Sequence, residues 1–244
     1  MSTATLVKQT ILGAIGATCL VAGSQLSAQA LTFTGSSAGQ FGLPINPGVG
    51  TVQALSNQGG GTNNRLDWGT PLSGSFSNYV QFDGSSSFST STDTLFKVGD
   101  LTYRNGTTLI SSTFNGDFPL STALNFSDPT GVSKTFSYLF NILNTPNSTG
   151  NPVLDGDKLK FSTAGLTSDT FNVGGTNYTL KLLGFSTDGG TNIISEFNSP
   201  EGATANAGLY GKITAAPIPT PALLPGLIGL GVAALRKRKA EAAE

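Results

Sequence analysis

Apolar and polar residues alternate with a period of two over most of this sequence, and no other feature limits the possible folds as strongly. The alternation is clearest where Phe136, Tyr138, Phe140 and Ile142 occupy every second position. Successive side chains of a strand point to opposite faces, so this pattern predicts a β-strand with one face in a core. The pattern recurs at Leu120, Thr122, Leu124 and Phe126, at Leu159 and Phe161, at Tyr178, Leu180 and Leu182, and at Leu209, Gly211 and Ile213.

Short turn-forming sequences separate these alternating segments. They are Gly59-Gly60-Gly61, Asn105-Gly106, Asn115-Gly116, Gly174-Gly175 and Gly189-Gly190. Glycine and asparagine favour tight turns because they tolerate left-handed backbone angles. With 32 glycines, 11% charged residues and no clear helical period between the segments, the sequence predicts an all-β fold. We expect an antiparallel β-sandwich or jelly-roll-like domain over residues 31–215, flanked by an N-terminal signal helix and a short C-terminal hydrophobic helix.

The N-terminal residues 1–30 have the organisation of a signal peptide. Lys8 precedes a 14-residue apolar run, residues 10–23. Ala28 and Ala30 then form an A-x-A cleavage site directly before Leu31. We therefore expect export by Sec-type machinery. Because the only cysteine lies inside the apolar run, the mature protein would have neither disulfides nor a cysteine-based metal site.

The C-terminal end begins with a proline-rich spacer at residues 216–222. An uncharged run from Leu223 to Leu235 follows it, within a last segment of residues 223–244. The cationic cluster Arg236, Lys237, Arg238 and Lys239 comes next and is expected on the cytoplasmic side of a membrane. This pattern predicts a membrane-associated hydrophobic helix with a basic stop. The alternative is a solvated basic tail after a core helix.

The spacer, the short glycine-containing apolar run and the basic cluster together resemble a PEP-CTERM sorting tail. The residues Pro219, Thr220, Pro221 and Ala222 stand where that tail has Pro-Glu-Pro, and they are similar to its Pro-Thr-Pro-Ala variant. The resemblance implies an exosortase-like membrane protease as a partner and the cell surface or extracellular matrix as the destination. Whether the tail is cleaved or kept as an anchor stays open.

The central domain resembles a second family, the choice-of-anchor K domain. The segment from Asn64 to Pro71 is similar to its Trp-Gly-x-Pro element, and the segment from Phe96 to Thr107 is similar to its next block, an F-x-x-G-x-L-x-y-x-N-G pattern. Its closing strands are resembled by the residues from Tyr178 to Phe185, by Phe197 and Glu201, and by the residues from Leu209 to Ile213. The resemblance implies an envelope or extracellular β domain, and it brings no catalytic residues with it.

The composition argues against most enzymatic and nucleic-acid-binding functions. There is no histidine, so the usual nucleophile–base pairs and zinc sites are unavailable. Residues 31–222 hold eight basic and twelve acidic residues without a basic stripe, which disfavours nucleic acid. A glycosidase needs only two carboxylates, but the acidic residues are scattered and most are expected at turns, as in Asp83-Gly84, Asp155-Gly156-Asp157 and Asp188-Gly189.

Two features are candidates for a binding role. Trp68 would stack on a sugar ring if it were exposed, whereas within a strand it would pack in the core, and core packing is the preferred interpretation. Asp155 and Asp157 are candidates for a structural calcium site, since calcium needs only oxygen ligands. No other cofactor or metal is expected.

The sequence therefore predicts an exported, non-enzymatic cell-surface or extracellular-matrix protein. The alternative is a carbohydrate-binding module for extracellular polysaccharide, and a glycosidase is the third hypothesis.

Overall fold

The structure, a computed structural model, describes residues 30–44, 52–55, 62–162 and 167–216. Ala28, the sorting motif at 219–222 and the segment 223–244 lie outside these residues, as do the two predicted terminal helices. In the described part of the chain the regular structure is β-strand, apart from one 3-10 turn at Ile110–Ser112. None of its helical segments is long and apolar enough to cross a membrane.

The strands of the described residues form two antiparallel sheets. In chain order they are β1 Thr32–Phe41, β2 Gln53–Leu55, β3 Arg65–Trp68, β4 Asn78–Gly84, β5 Phe88–Ser91, β6 Phe96–Asn105, β7 Gly116–Asp128, β8 Ser133–Leu143, β9 Asp157–Phe161, β10 Phe171–Val173, β11 Thr176–Ser186, β12 Glu196–Ser199 and β13 Ala203–Ala215. One sheet has the order β12-β9-β8-β7-β1-β5, and the other has the order β10-β11-β13-β6-β4-β3-β2. This confirms the prediction of an all-β, sandwich-like domain.

The hydrophobic core lies between the sheets and is built from the alternating positions. In β8 the side chains of Phe136, Tyr138, Phe140 and Ile142 are all at most 2% exposed, as their period-two spacing predicts. Aromatic rings dominate the contacts across the core. Phe33 of β1, for example, lies edge-on to Tyr178 of β11, with 5.3 Å between ring centroids. Such edge-to-face contacts add stability beyond the burial of apolar area.

The two sheets also approach each other along one edge, beside β1. The backbone N–H of Ser37 donates to the carbonyl of Ser85 at 2.9 Å, and the Ser37 hydroxyl donates to the carbonyl of Val98. Gly84 is so close that an added Cβ would lie 2.0 Å from the Ser37 carbonyl oxygen. The expectation that Asp83-Gly84 forms a turn is therefore wrong: both residues pair within β4, opposite Asp100 and Gly99, and the glycine permits close approach of the sheets.

Among the other turn sequences, Gly174-Gly175 connects β10 to β11 and has positive φ at both residues. Asn105-Gly106 is not a tight turn. Asn105 is 1% exposed at the end of β6, where its amide donates to the carbonyl of Ser199 at 3.1 Å. Burial of this amide is possible because its hydrogen bond compensates the loss of water. Gly59-Gly60-Gly61 lies outside the described residues.

The sandwich has two distinct ends. The proximal end holds both Leu31 and Ala216: the carbonyl of Leu31 accepts the N–H of Thr92, and the adjacent Asp93 N–H donates to Ile213. β13 begins at Ala203 at the opposite, distal end and reaches the proximal end at Ala215, over 13 residues or about 40 Å. The distal end carries the β3–β4, β6–β7, β8–β9 and β12–β13 loops.

Candidate functional site

Trp68 lies at the distal end of β3 and faces the core. It is 2% exposed and packs against Tyr103 and Phe114, with ring centroids 5.9 and 5.8 Å away. A ring buried to this degree has no face free for stacking on a sugar, so the placement favours the core interpretation. Its indole Nε1 is buried and has no hydrogen-bond partner among the described residues, which is unusual for a buried donor.

The side chains that alternate with Leu66 and Trp68 in β3 point away from the core. They are Arg65 and Asp67, whose Nε and Oδ2 atoms form an ion pair at 2.7 Å. The guanidinium of Arg65 also lies over the ring of Tyr79 in β4, 3.8 Å from its centroid. Arg65 is thus held by the Asp67 carboxylate, which also accepts a hydrogen bond from its Nη2 at 3.1 Å, and by the aromatic ring of Tyr79, and these contacts fix its orientation.

A second arginine reinforces this arrangement on the next strand. Arg104 of β6 lies over the rings of Tyr79 and Phe76, at 4.6 and 5.0 Å from their centroids. Its Nε donates to the carbonyl of Ser77 at 2.8 Å. Tyr79 therefore has two guanidinium groups beside it, and the outer face of the seven-stranded sheet carries an ordered row of polar and cationic groups.

A cavity of about 320 Å³ opens where this outer face meets the distal end of β3. Its lining is mostly polar and includes Gln53, Arg65, Asp67, Trp68, Thr70 and Ser112. The backbone of the loop is fixed here, because the N–H of Thr70 donates to Ser112 Oγ at 2.7 Å and its carbonyl accepts the N–H of Leu109. The cavity brings hydrogen-bond donors and acceptors of several kinds into one small volume.

Sequence reasoning singled out Trp68 but missed Arg65, Tyr79 and Arg104. The alternation in β3 was the available signal, since a buried Leu66 and Trp68 put Arg65 and Asp67 on the opposite face. The same alternation in β4 and β6 puts Tyr79 and Arg104 on this outer face, but only strand pairing brings them beside Arg65.

Asp155 and Asp157 both hold the β8–β9 loop at the distal end. The carboxylate of Asp155 accepts the backbone N–H groups of Ser148, Thr149 and Gly150, at 2.9 to 3.2 Å. Burial opposes its ionisation, but these hydrogen bonds, led by those from Thr149, outweigh it and hold the pKa of Asp155 below its ordinary value.

Asp157 is 1% exposed and has the opposite shift. Its carboxylate accepts hydrogen bonds from the Thr145 N–H at 2.9 Å, from the Asn144 amide at 3.2 Å and from the Tyr103 hydroxyl at 3.3 Å. Burial raises the pKa of Asp157 to about 6, with a further contribution from the negative charge of Glu201, against the lowering effect of the Thr145 hydrogen bonds. Burial and the nearby Asp157 charge also raise the pKa of Tyr103.

These contacts bear on the calcium hypothesis. Both carboxylates point at N–H and O–H donors, which are groups that stabilise an anion and repel a cation. In the described part of the chain there is no group of three or more acidic, histidine or cysteine side chains placed to hold a metal ion. The structure thus brings Asp155 and Asp157 to one loop but gives them hydrogen-bonding roles there.

Comparison with known proteins assigns no family: no family model matches the sequence, and no curated protein matches it significantly.

Proposed function

We propose that the protein is an exported, non-enzymatic protein of the cell surface or extracellular matrix, sorted by its C-terminal segment. The observation that carries the proposal is the position of Leu31 and Ala216 together at the proximal end. A domain released from a signal peptide before Leu31, and joined to a membrane segment after Ala216, would stand with its distal end outward. The distal cavity would then lie about 40 Å from the attachment point, at the far end of β13.

The route follows from the chemistry of the two terminal segments. The apolar run at residues 10–23 would engage Sec-type export machinery, and the run from Leu223 to Leu235 would enter the membrane. The basic residues after Leu235 would stay in the cytoplasm, because cationic flanks resist translocation. The motif at 219–222 would then lie on the side of this membrane that faces away from the cytoplasm, where an exosortase-like protease could reach it.

Fractionation of an exporting bacterium tests this proposal. The full chain is expected in the envelope or on the cell surface, whereas a chain lacking residues 219–244 is expected in the periplasm or the medium. Deleting only residues 240–244 is the matched control, since it keeps the motif, the apolar run and the basic cluster. Identical fractionation of the full chain and the 219–244 deletion would contradict sorting by this segment.

Mass spectrometry of the mature termini examines the two processing steps. Cleavage before Leu31 is expected, and a C-terminus near residue 219 would indicate release by a protease. An intact C-terminus in the envelope fraction would indicate that the segment is kept as an anchor. A mature protein that still begins at residue 1 would contradict export by signal-peptide cleavage.

A further inference from the structure

We infer that the cavity at the distal end of β3 binds a neutral sugar unit, with the saccharide chain continuing across the outer face of the seven-stranded sheet. Trp68 is buried beside the cavity, and the exposed contacts come from the residues around it. Gln53, Arg65, Asp67, Thr70 and Ser112 supply these contacts.

The composition of the cavity selects the ligand class. Its two charged side chains, Arg65 and Asp67, neutralise each other as an ion pair, so neither an anion nor a cation gains a net charge partner there. What remains is a mixture of amide, hydroxyl, guanidinium N–H and carboxylate groups. A ligand with many hydroxyls matches this mixture, because every hydroxyl can both donate and accept a hydrogen bond.

The binding groups are already fixed in position. Arg65 is held between the Asp67 carboxylate and the Tyr79 ring, and the Thr70 loop is tied to Ser112 and Leu109. Ordering these side chains on binding would cost little, since most of their freedom is lost in the folded protein. This is important for a saccharide, because its hydroxyls give up hydrogen bonds to water and gain hydrogen bonds to the protein that are only slightly stronger.

Trp68 lines the cavity but offers it little surface. The residue is 2% exposed and its Nε1 is buried. The contacts to a sugar therefore come from the polar side chains around Trp68, whose hydroxyl, amide and charged groups are hydrogen-bond donors and acceptors.

Strand register extends the surface beyond the cavity. Gln53, Asp67, Tyr79, Arg104 and Thr204 lie opposite one another on β2, β3, β4, β6 and β13. Five adjacent strands span about 19 Å at the usual strand spacing. This row is long enough for several linked sugar rings, and each of its side chains has at least one hydrogen-bonding group.

Glycan binding by the purified full-length chain, held in detergent micelles, tests the inference. The probes are arrayed neutral hexose oligosaccharides, with uronic-acid oligosaccharides as the acidic comparison, followed by calorimetry on any glycan retained. We expect a neutral oligosaccharide to bind at micromolar to millimolar concentration. Retention of no neutral glycan at millimolar concentration, or of acidic glycans alone, would overturn the inference.

One substitution locates the binding. Thr70→Trp fills the cavity but leaves the Thr70 backbone hydrogen bonds in place, and it should reduce affinity at least about tenfold by excluding the sugar.

Thr214→Trp is the matched control. Thr214 lines a cavity of about 310 Å³ in the same sheet, toward the proximal end, so the substitution adds the same bulk at a site of similar size. Affinity equal to that of the unchanged protein is expected, and equal losses in Thr70→Trp and Thr214→Trp would overturn the assignment of the site. Binding by the purified chain needs neither export nor sorting, so its failure can be distinguished from a failure of the proposed sorting.

Discussion

The hydroxyl of Tyr103 in β6 donates a hydrogen bond to the carboxylate of Asp157 in β9, at 3.3 Å, and so joins the two sheets across the distal end of the core. Both side chains are at most 1% exposed. The same carboxylate holds the β8–β9 loop through Thr145. A single titratable group therefore links sheet packing to loop position, and the pH dependence of stability should reveal it.

We expect the free energy of unfolding to rise as the pH is lowered from 7 to 5. The pKa of Asp157 is about 6 in the folded protein against an ordinary value of 3.8, so between these values the folded state binds more protons than the unfolded state. The stabilisation is fully present below pH 3.8 and is lost as the pH rises through about 6, with a total of about 2–3 kcal/mol. Urea unfolding of the protein at several pH values measures it.

Asp157→Asn is the control for this effect, because the amide keeps an acceptor for Thr145 and does not ionise. The stability of the variant should be nearly constant between pH 5 and 7. Below pH 4 the variant should still lose stability, because Asp188 becomes protonated there. Hydrogen bonds from Asn192 and Ser186 stabilise the Asp188 carboxylate and lower its pKa to about 2, so its protonation removes a stabilising charge. A variant with the same slope as the unchanged protein between pH 5 and 7 would show that another group is responsible.

Calcium should leave the melting temperature unchanged, because Asp155 and Asp157 already accept hydrogen bonds from N–H and O–H donors. Asp155→Ala should instead free the backbone of Ser148, Thr149 and Gly150. Hydrogen exchange of these three amides is expected to accelerate, while amides of β13 keep their protection. A rise in melting temperature on adding calcium, absent in Asp155→Ala, would reinstate the metal site.

Gly84→Ala should destabilise the protein by about 2–3 kcal/mol, because the new Cβ collides with the Ser37 carbonyl where the sheets approach each other. Gly131→Asn is the matched control. Nothing lies within 4 Å of a Cβ at Gly131, and asparagine tolerates its positive φ. Chemical denaturation of both variants measures the difference, and equal stabilities would refute close approach at Gly84.

Tyr138→Phe should cost about 1–2 kcal/mol, since it leaves the buried carbonyl of Leu180 without the hydroxyl that now donates to it at 2.6 Å. This hydrogen bond connects β8 to β11 in the opposite sheet. Tyr210→Phe removes a hydroxyl that makes no hydrogen bond to the described residues, and its effect on the free energy of unfolding should be near zero. Equal effects of the two substitutions would contradict a stabilising role for the Tyr138 hydroxyl.

The sequence by itself determined the class of fold and the membership of the core. Phe136, Tyr138, Phe140 and Ile142 are buried as their spacing predicts, because strand geometry turns a period of two directly into two faces. The Gly174-Gly175 turn was equally predictable, since two consecutive residues with positive φ favour glycine. These features depend only on neighbouring residues in the chain.

Tertiary structure alone decided how distant segments meet. Asp83-Gly84 has turn-like chemistry, yet strand pairing and the approach of β1 place it inside β4. Arg65, Tyr79 and Arg104 come together because β3, β4 and β6 are adjacent in one register, a relationship between residues up to 39 positions apart. Local patterns specify which face of a strand a residue occupies, but only the packed sheets specify its neighbours on that face.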